Sequence, residues 1–126
     1  MTTAPAWMVA VIRDFGRAAG LNDLVLNGRG AVAFRFETGR SLRLEYTGSE
    51  LVMAITLPSA DLKRLLAAAH PMARHGVRAR AGILRKTGEA VVAVRIAERD
   101  VTLPRLDASF GALWRIAGEV GGSAWA

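Results

Sequence analysis

The chain has no cysteine, two histidines, one tyrosine and few aromatic residues of any kind, 6% of its 126 positions. Without cysteine there is no disulfide framework, no thiolate nucleophile and no thiolate metal ligand. His70 and His75 are the only imidazoles, and no cysteine or acidic cluster lies beside them to complete the ligand set that zinc needs, so neither a metal nor a cofactor is expected. Apolar runs stay far short of the ~20 residues that cross a bilayer. No basic stretch followed by a hydrophobic core opens the sequence, which reads as a cytoplasmic protein without a membrane partner. Paired catalytic carboxylates are also wanting: Glu98 and Asp100 alternate at a strand end and read as turn residues. An enzyme is not expected.

What the chain does have is apolar surface and arginine. Hydrophobic residues make up 52% and charged residues only 22%, which for a single domain of residues 1–126 implies a surface shared with another chain. Seventeen basic residues against eleven acidic ones give a net charge of +6, and Lys63 and Lys86 are the only lysines. That arginine excess raises the question of an anionic partner.

Residues Met8, Val11, Ile12, Phe15 and Ala19 recur three and four apart from Ala6 onward, with Arg13, Asp14 and Arg17 on the other side. This spacing predicts an amphipathic helix closed by Gly20, with Leu21 folding back on its last turn. Asn27-Gly28-Arg29-Gly30 is a turn; it precedes a strand and so lacks the helix N-terminus that a phosphate-binding loop uses. Three alternating strands follow, with Val32, Phe34 and Phe36, then Leu42, Leu44 and Tyr46, then Leu51, Met53, Ile55 and Leu57 facing inward. Thr38-Gly39 and Thr47-Gly48 join them as hairpins, and Arg35, Glu37, Arg43 and Glu45 are expected to pair across the outer face.

Pro58 ends this meander, and a second helix is predicted from Ala60 to about His70, with Leu62, Leu65, Leu66 and Ala69 as its stripe. Pro71 breaks it, and irregular backbone is expected up to Gly76. Val77 to Ile96 reads as a further hairpin closed at Thr87-Gly88, its second strand apolar on both faces. Thr102 or Leu103 starts a last helix, with Pro104 in its first turn, running along Leu106, Phe110, Leu113, Ala117 and Val120 to Gly121-Gly122. The order is helix, three strands, helix, two strands, helix (α-β-β-β-α-β-β-α), an α+β fold whose antiparallel sheet is covered by helices.

Arg74, His75, Arg78, Arg80, Arg85 and Lys86 form a basic stretch that keeps a nucleic-acid or anionic-ligand binding domain open as an alternative. No aromatic residue is interleaved there to stack on bases, so a solvated strand face ranks first, an acidic protein surface next and nucleic acid below both.

The run Val11-Ile12-Arg13-Asp14-Phe15-Gly16-Arg17-Ala18-Ala19-Gly20-Leu21, then Leu24-Val25-Leu26-Asn27-Gly28 and the strands to Leu57-Pro58, resembles the class I chaperones of bacterial type III secretion, the CesT-like family. Leu65-Leu66-Ala67-Ala68-Ala69 is similar to the family's middle helix, Gly76 to Ile96 to its last hairpin, and Phe110 to Trp114 to its final helix. The resemblance implies a homodimer that binds the amino-terminal segment of a secreted effector and keeps it soluble and competent for secretion, without ATP. The effector would wrap the dimer as an extended chain and add a strand to a sheet edge. By the same resemblance, Leu62, Leu65, Leu66, Ala69, Val77 and Ile83 form the dimer interface, and the first helix and sheet offer client patches at Met8, Val11, Ile12, Phe15 and Met53. Two features depart from the family: members are usually acidic where this chain is basic, and His70-Pro71 stands where an asparagine commonly ends the middle helix.

Overall fold

A computed structural model describes residues 3–21, 31–36, 40–57, 73–74, 77–84 and 88–121. Helix α1 (Ala6–Ala18) buries Met8, Ile12 and Phe15, the residues its 3.6-residue period brings to one side. It ends as expected. Gly20 takes φ +75°, its N–H reaches the Arg17 carbonyl at 3.2 Å, and the Leu21 N–H reaches the Gly16 carbonyl at 2.7 Å. These are the paired bonds of a Schellman cap, and they fold Leu21 into the core.

Strands β1 (Ala31–Arg35), β2 (Ser41–Tyr46) and β3 (Glu50–Leu57) form the antiparallel meander. Gly48, at φ +106°, makes the β2–β3 turn, which Thr47 closes by bonding with Glu50 through both backbone and hydroxyl. Strands β5 (Val77–Ile83) and β6 (Ala90–Ala97) form the second hairpin, turned at Gly88 with φ +73°. With the short strand β4 (Ala73–Arg74), the strand order is β1-β2-β3-β6-β5-β4, so β6 returns to pair with β3 at the middle of the sheet.

Two expectations need correction. Irregular backbone was expected up to Gly76, but Ala73–Arg74 forms a two-residue strand, β4, paired with Arg78 and Val77 of β5. So short a strand has no alternation for a periodicity argument to detect. Among the described residues, the ion pairs expected of Arg35, Arg43 and Glu45 do not form either, because the register sets Arg35 opposite Ser41, Arg43 between Ala33 and Ala54, and Glu45 between Ala31 and Val52; Glu37 lies outside the described residues. Among the described residues, a cross-strand pair does form between Arg95 and Glu50, at 3.2 Å. The predicted middle helix, Ala60 to His70, lies outside the described residues, as do the Asn27-Gly28-Arg29-Gly30 turn and both histidines.

A 3-10 turn (Glu98–Asp100) leads into helix α2 (Leu103–Gly121). Thr102 caps it, its hydroxyl accepting the Arg105 N–H at 3.2 Å. Helix α2 lies across β3, β6 and β5, and α1 packs against α2. Leu42, Leu44, Leu51, Met53, Ile55, Val92, Val94 and Ile96 meet it from the sheet in one continuous core. Val91 and Ala93, on the other face of β6, are half-buried.

Candidate partner-binding surfaces

The core claims most of the residues expected to bind a client. Met8, Ile12, Phe15 and Met53 are all 0% exposed. Phe15 sets its ring edge-on to Phe110 of α2 at 5.7 Å, and Met53 stands in register between Leu44 and Val94 at the centre of the sheet. These four are therefore core residues, which corrects the expectation of a client patch. The physical reason is that α1 has a single apolar stripe and must bury it to pack against α2. Val11, at the margin of that stripe, is half-buried and keeps some surface.

Of the residues expected at a dimer interface, Leu62, Leu65, Leu66 and Ala69 lie outside the described residues, and Val77 is described only as backbone within β5. Ile83, at the end of β5 opposite Ala90, is 52% exposed. Among the described residues it is one of two large hydrophobic residues that are exposed. The other is Trp7, 45% exposed on the outer side of α1, which a stripe-based reading passes over because it falls off the stripe.

A second apolar surface gathers where β1 meets α2. Phe34 and Phe36 continue the alternation of β1, and Phe110 and Trp114 stand one turn apart on α2. Phe36 approaches Trp114 edge-on at 4.9 Å and Phe34 at 5.1 Å, and Phe110 lies 5.7 Å from Trp114. All four are half-buried, so the group is part core and part surface. Beneath it, Arg40 is buried, with its guanidinium 5.0 Å from the Trp114 ring centre and donating to the Ala117 carbonyl at 3.2 Å. Burial lowers its pKa. The negative end of the helix dipole and the ring face both favour the cation there. Sequence reasoning missed Arg40, although a lone arginine directly after a hairpin glycine, before an inward-facing row, was visible. The outer edge of β1 runs beside this group, and β1 pairs only with β2 among the described strands.

Little else among the described residues suggests chemistry. Among the described residues no three His, Asp or Glu side chains cluster to hold a metal. No described helix is long and apolar enough to cross a membrane. The part-buried Tyr46 hydroxyl donates to the Glu98 carboxylate and lies 3.1 Å from the Gly48 carbonyl, tying the β2–β3 turn to the 3-10 turn. The hydrogen bond to Glu98, then burial, then the charge of Glu98 raise the phenol pKa above its ordinary value.

The whole described architecture matches known structures. SycH of Yersinia pestis, a type III secretion chaperone in complex with a stable fragment of YscM2, superposes with a TM-score of 0.66 at 16% identity, over 90% of this chain and 98% of that one. The chain has the fold of a type III secretion chaperone. The HopA1-SchA chaperone-effector complex gives a TM-score of 0.67 at 21% identity over 92% and 97% of the two chains. The ExoT-SpcS complex of Pseudomonas aeruginosa gives 0.71 at 13% identity over 94% and 99%. No protein-family model and no curated protein matches the sequence. The likeness of fold thus holds at sequence identities of 13% to 21%. On this fold, β1 stands at the end of the described strand order with the four aromatic residues beside it.

Proposed function

We propose that this chain is a bacterial, cytoplasmic type III secretion chaperone that binds the amino-terminal segment of a secreted effector and keeps it soluble and secretion-competent without ATP. The observation that carries this reading is the likeness of nearly the whole chain to chains of two solved chaperone complexes, SycH with a fragment of YscM2 and the HopA1-SchA chaperone-effector complex. An edge strand beside half-exposed aromatic side chains supports it. Such an edge supplies backbone donors and acceptors whatever the client's sequence, and the neighbouring rings select which side chains dock. The client surface is therefore centred on Phe34, Phe36, Phe110, Trp114 and Val11, in place of the buried Met8, Ile12, Phe15 and Met53. The active form is a homodimer joined through Ile83, Val77 and the segment bearing Leu62, Leu65, Leu66 and Ala69.

The deciding experiment is affinity capture of the tagged chain from its native cell, with limited proteolysis of whatever is bound. A secreted protein protected over its first hundred or so residues is the expected result. Recovery of no secreted protein under secretion-inducing conditions would overturn the reading.

A further inference from the structure

The sheet face opposite α1 and α2 carries a charge pattern that packing does not use. By strand alternation Arg35, Arg43, Arg78, Arg80 and Arg95 share this face, and all five are exposed. Among the described strand residues, Glu45 and Glu50 share it, and Glu50 is held by Arg95. Arg35, Arg43, Arg78 and Arg80 have no ion-pair partner among the described residues.

The register gathers the arginines into two groups. Arg35 is opposite Ser41, which makes Arg43 its diagonal neighbour; Arg80 is opposite Ala93, which makes Arg95 its diagonal neighbour. Diagonal residues in antiparallel strands sit about 7–8 Å apart, and like charges so placed repel. Among the described strand residues of this face the arginines outnumber the carboxylates, five to two. Between the groups, β3 and β6 contribute Val52, Ala54, Val91 and Ala93, small apolar side chains that are half-buried. Arg43 and Arg80 stand three strand steps apart, about 14 Å at ~4.8 Å per step. An α-helix with its side chains is about 10–12 Å across and fits that width.

We propose that this face binds an acidic amphipathic segment of the client, with an apolar row along β3 and β6 and carboxylates on both flanks, one against Arg35 and Arg43, the other against Arg78, Arg80 and Arg95. The proposal rests on the chaperone reading and names the chemistry of its client. It also accounts for the basic charge of the chain. A nucleic acid fits less well: the described residues of this face include no aromatic side chain to stack on bases, and Glu45 and Glu50 stand where phosphates would pass. Exposed arginine pairs instead match carboxylates in geometry as well as charge.

The test uses the full chain and two labelled probes, a helical Glu/Ala/Leu peptide with leucines at one face and a random DNA oligonucleotide, each titrated by fluorescence polarisation across a salt series. The variant Arg43→Glu with Arg80→Glu is compared with Arg13→Glu and Arg17→Glu, an equal charge change on the exposed side of α1. The expected result is peptide binding that falls at least tenfold in the sheet variant and less than threefold in the helix variant. Equal loss in both variants, no peptide binding at low salt, or tighter binding of DNA than of peptide overturns the proposal. So does a sheet variant that turns from dimer to monomer in light scattering, which would mean that a second copy covers this face. The native-cell capture is repeated with the sheet variant. A client retained at full yield sinks this proposal and leaves the chaperone reading standing, whereas peptide binding without any captured secreted protein does the reverse.

Discussion

Two polar side chains hold the described parts of the fold together at points that hydrophobic pattern does not reach. Arg40 fastens the start of β2 to the C-terminal part of α2 through a carbonyl and a ring, and its burial is tolerable because both contacts favour the cation. Tyr46 does the same between the β2–β3 turn and the 3-10 turn. Because its pKa is raised in the folded state, the contribution of this contact is complete below the ordinary tyrosine value of about 10 and is lost as pH climbs through the folded value. Tyr46 is the only tyrosine, so phenolate absorbance reports on it alone. The alkaline titration should have its midpoint above 10, and Glu98→Gln should bring it back toward 10. A wild-type midpoint at or below 10 would show that the hydrogen bond to Glu98 does not persist in solution. Neither contact was legible beforehand, since each joins residues far apart in the chain, 77 positions for Arg40 and Ala117 and 52 for Tyr46 and Glu98.

At the level of elements, local rules were followed closely. The 3.6 period with Gly20 located α1, period-2 alternation located β2, β3 and β6, and threonine before Leu103-Pro104 located the start of α2. Two glycines separate conformational need from mere presence. An added Cβ meets nothing within 4 Å at either Gly20 or Gly82, but only Gly20 has positive φ. Gly20→Ala should therefore destabilise the chain by about 1 kcal/mol through the left-handed backbone alone. Gly82→Ala should be neutral or stabilising by up to about 1 kcal/mol, since a strand glycine costs chain entropy. Urea unfolding checks both, and equal effects at the two sites would refute the argument. What local rules missed was register. The hairpins were located correctly, yet the cross-strand partners of Arg35, Arg43 and Glu45 followed from loop lengths that periodicity does not encode.

For the whole molecule, the proposed dimer has one described anchor. Ile83 keeps 52% of its surface in water at the end of β5, on the helix-covered face of the sheet but at its margin. Light scattering at micromolar concentration should show a dimer for the native chain and a shift toward monomer for Ile83→Asp, with far-UV circular dichroism unchanged. A native monomer, or a variant that dimerises as well as the native chain, would remove Ile83 from the interface.

The apolar pattern alone determined the order of the described helices and long strands, because each follows from contacts within a few residues of itself. Which apolar residues are core and which are surface was settled only by the tertiary structure. Met8, Ile12, Phe15 and Met53 have the same composition and spacing as a binding stripe would, and they became core because α2 and the sheet close over them. Phe34, Phe36, Phe110 and Trp114 stayed half-exposed because they lie where the sheet runs out at β1, with no further described strand to cover them. The five arginines, scattered over 61 positions from Arg35 to Arg95, share one face only because β6 returns to pair with β3 and carries β5 with it.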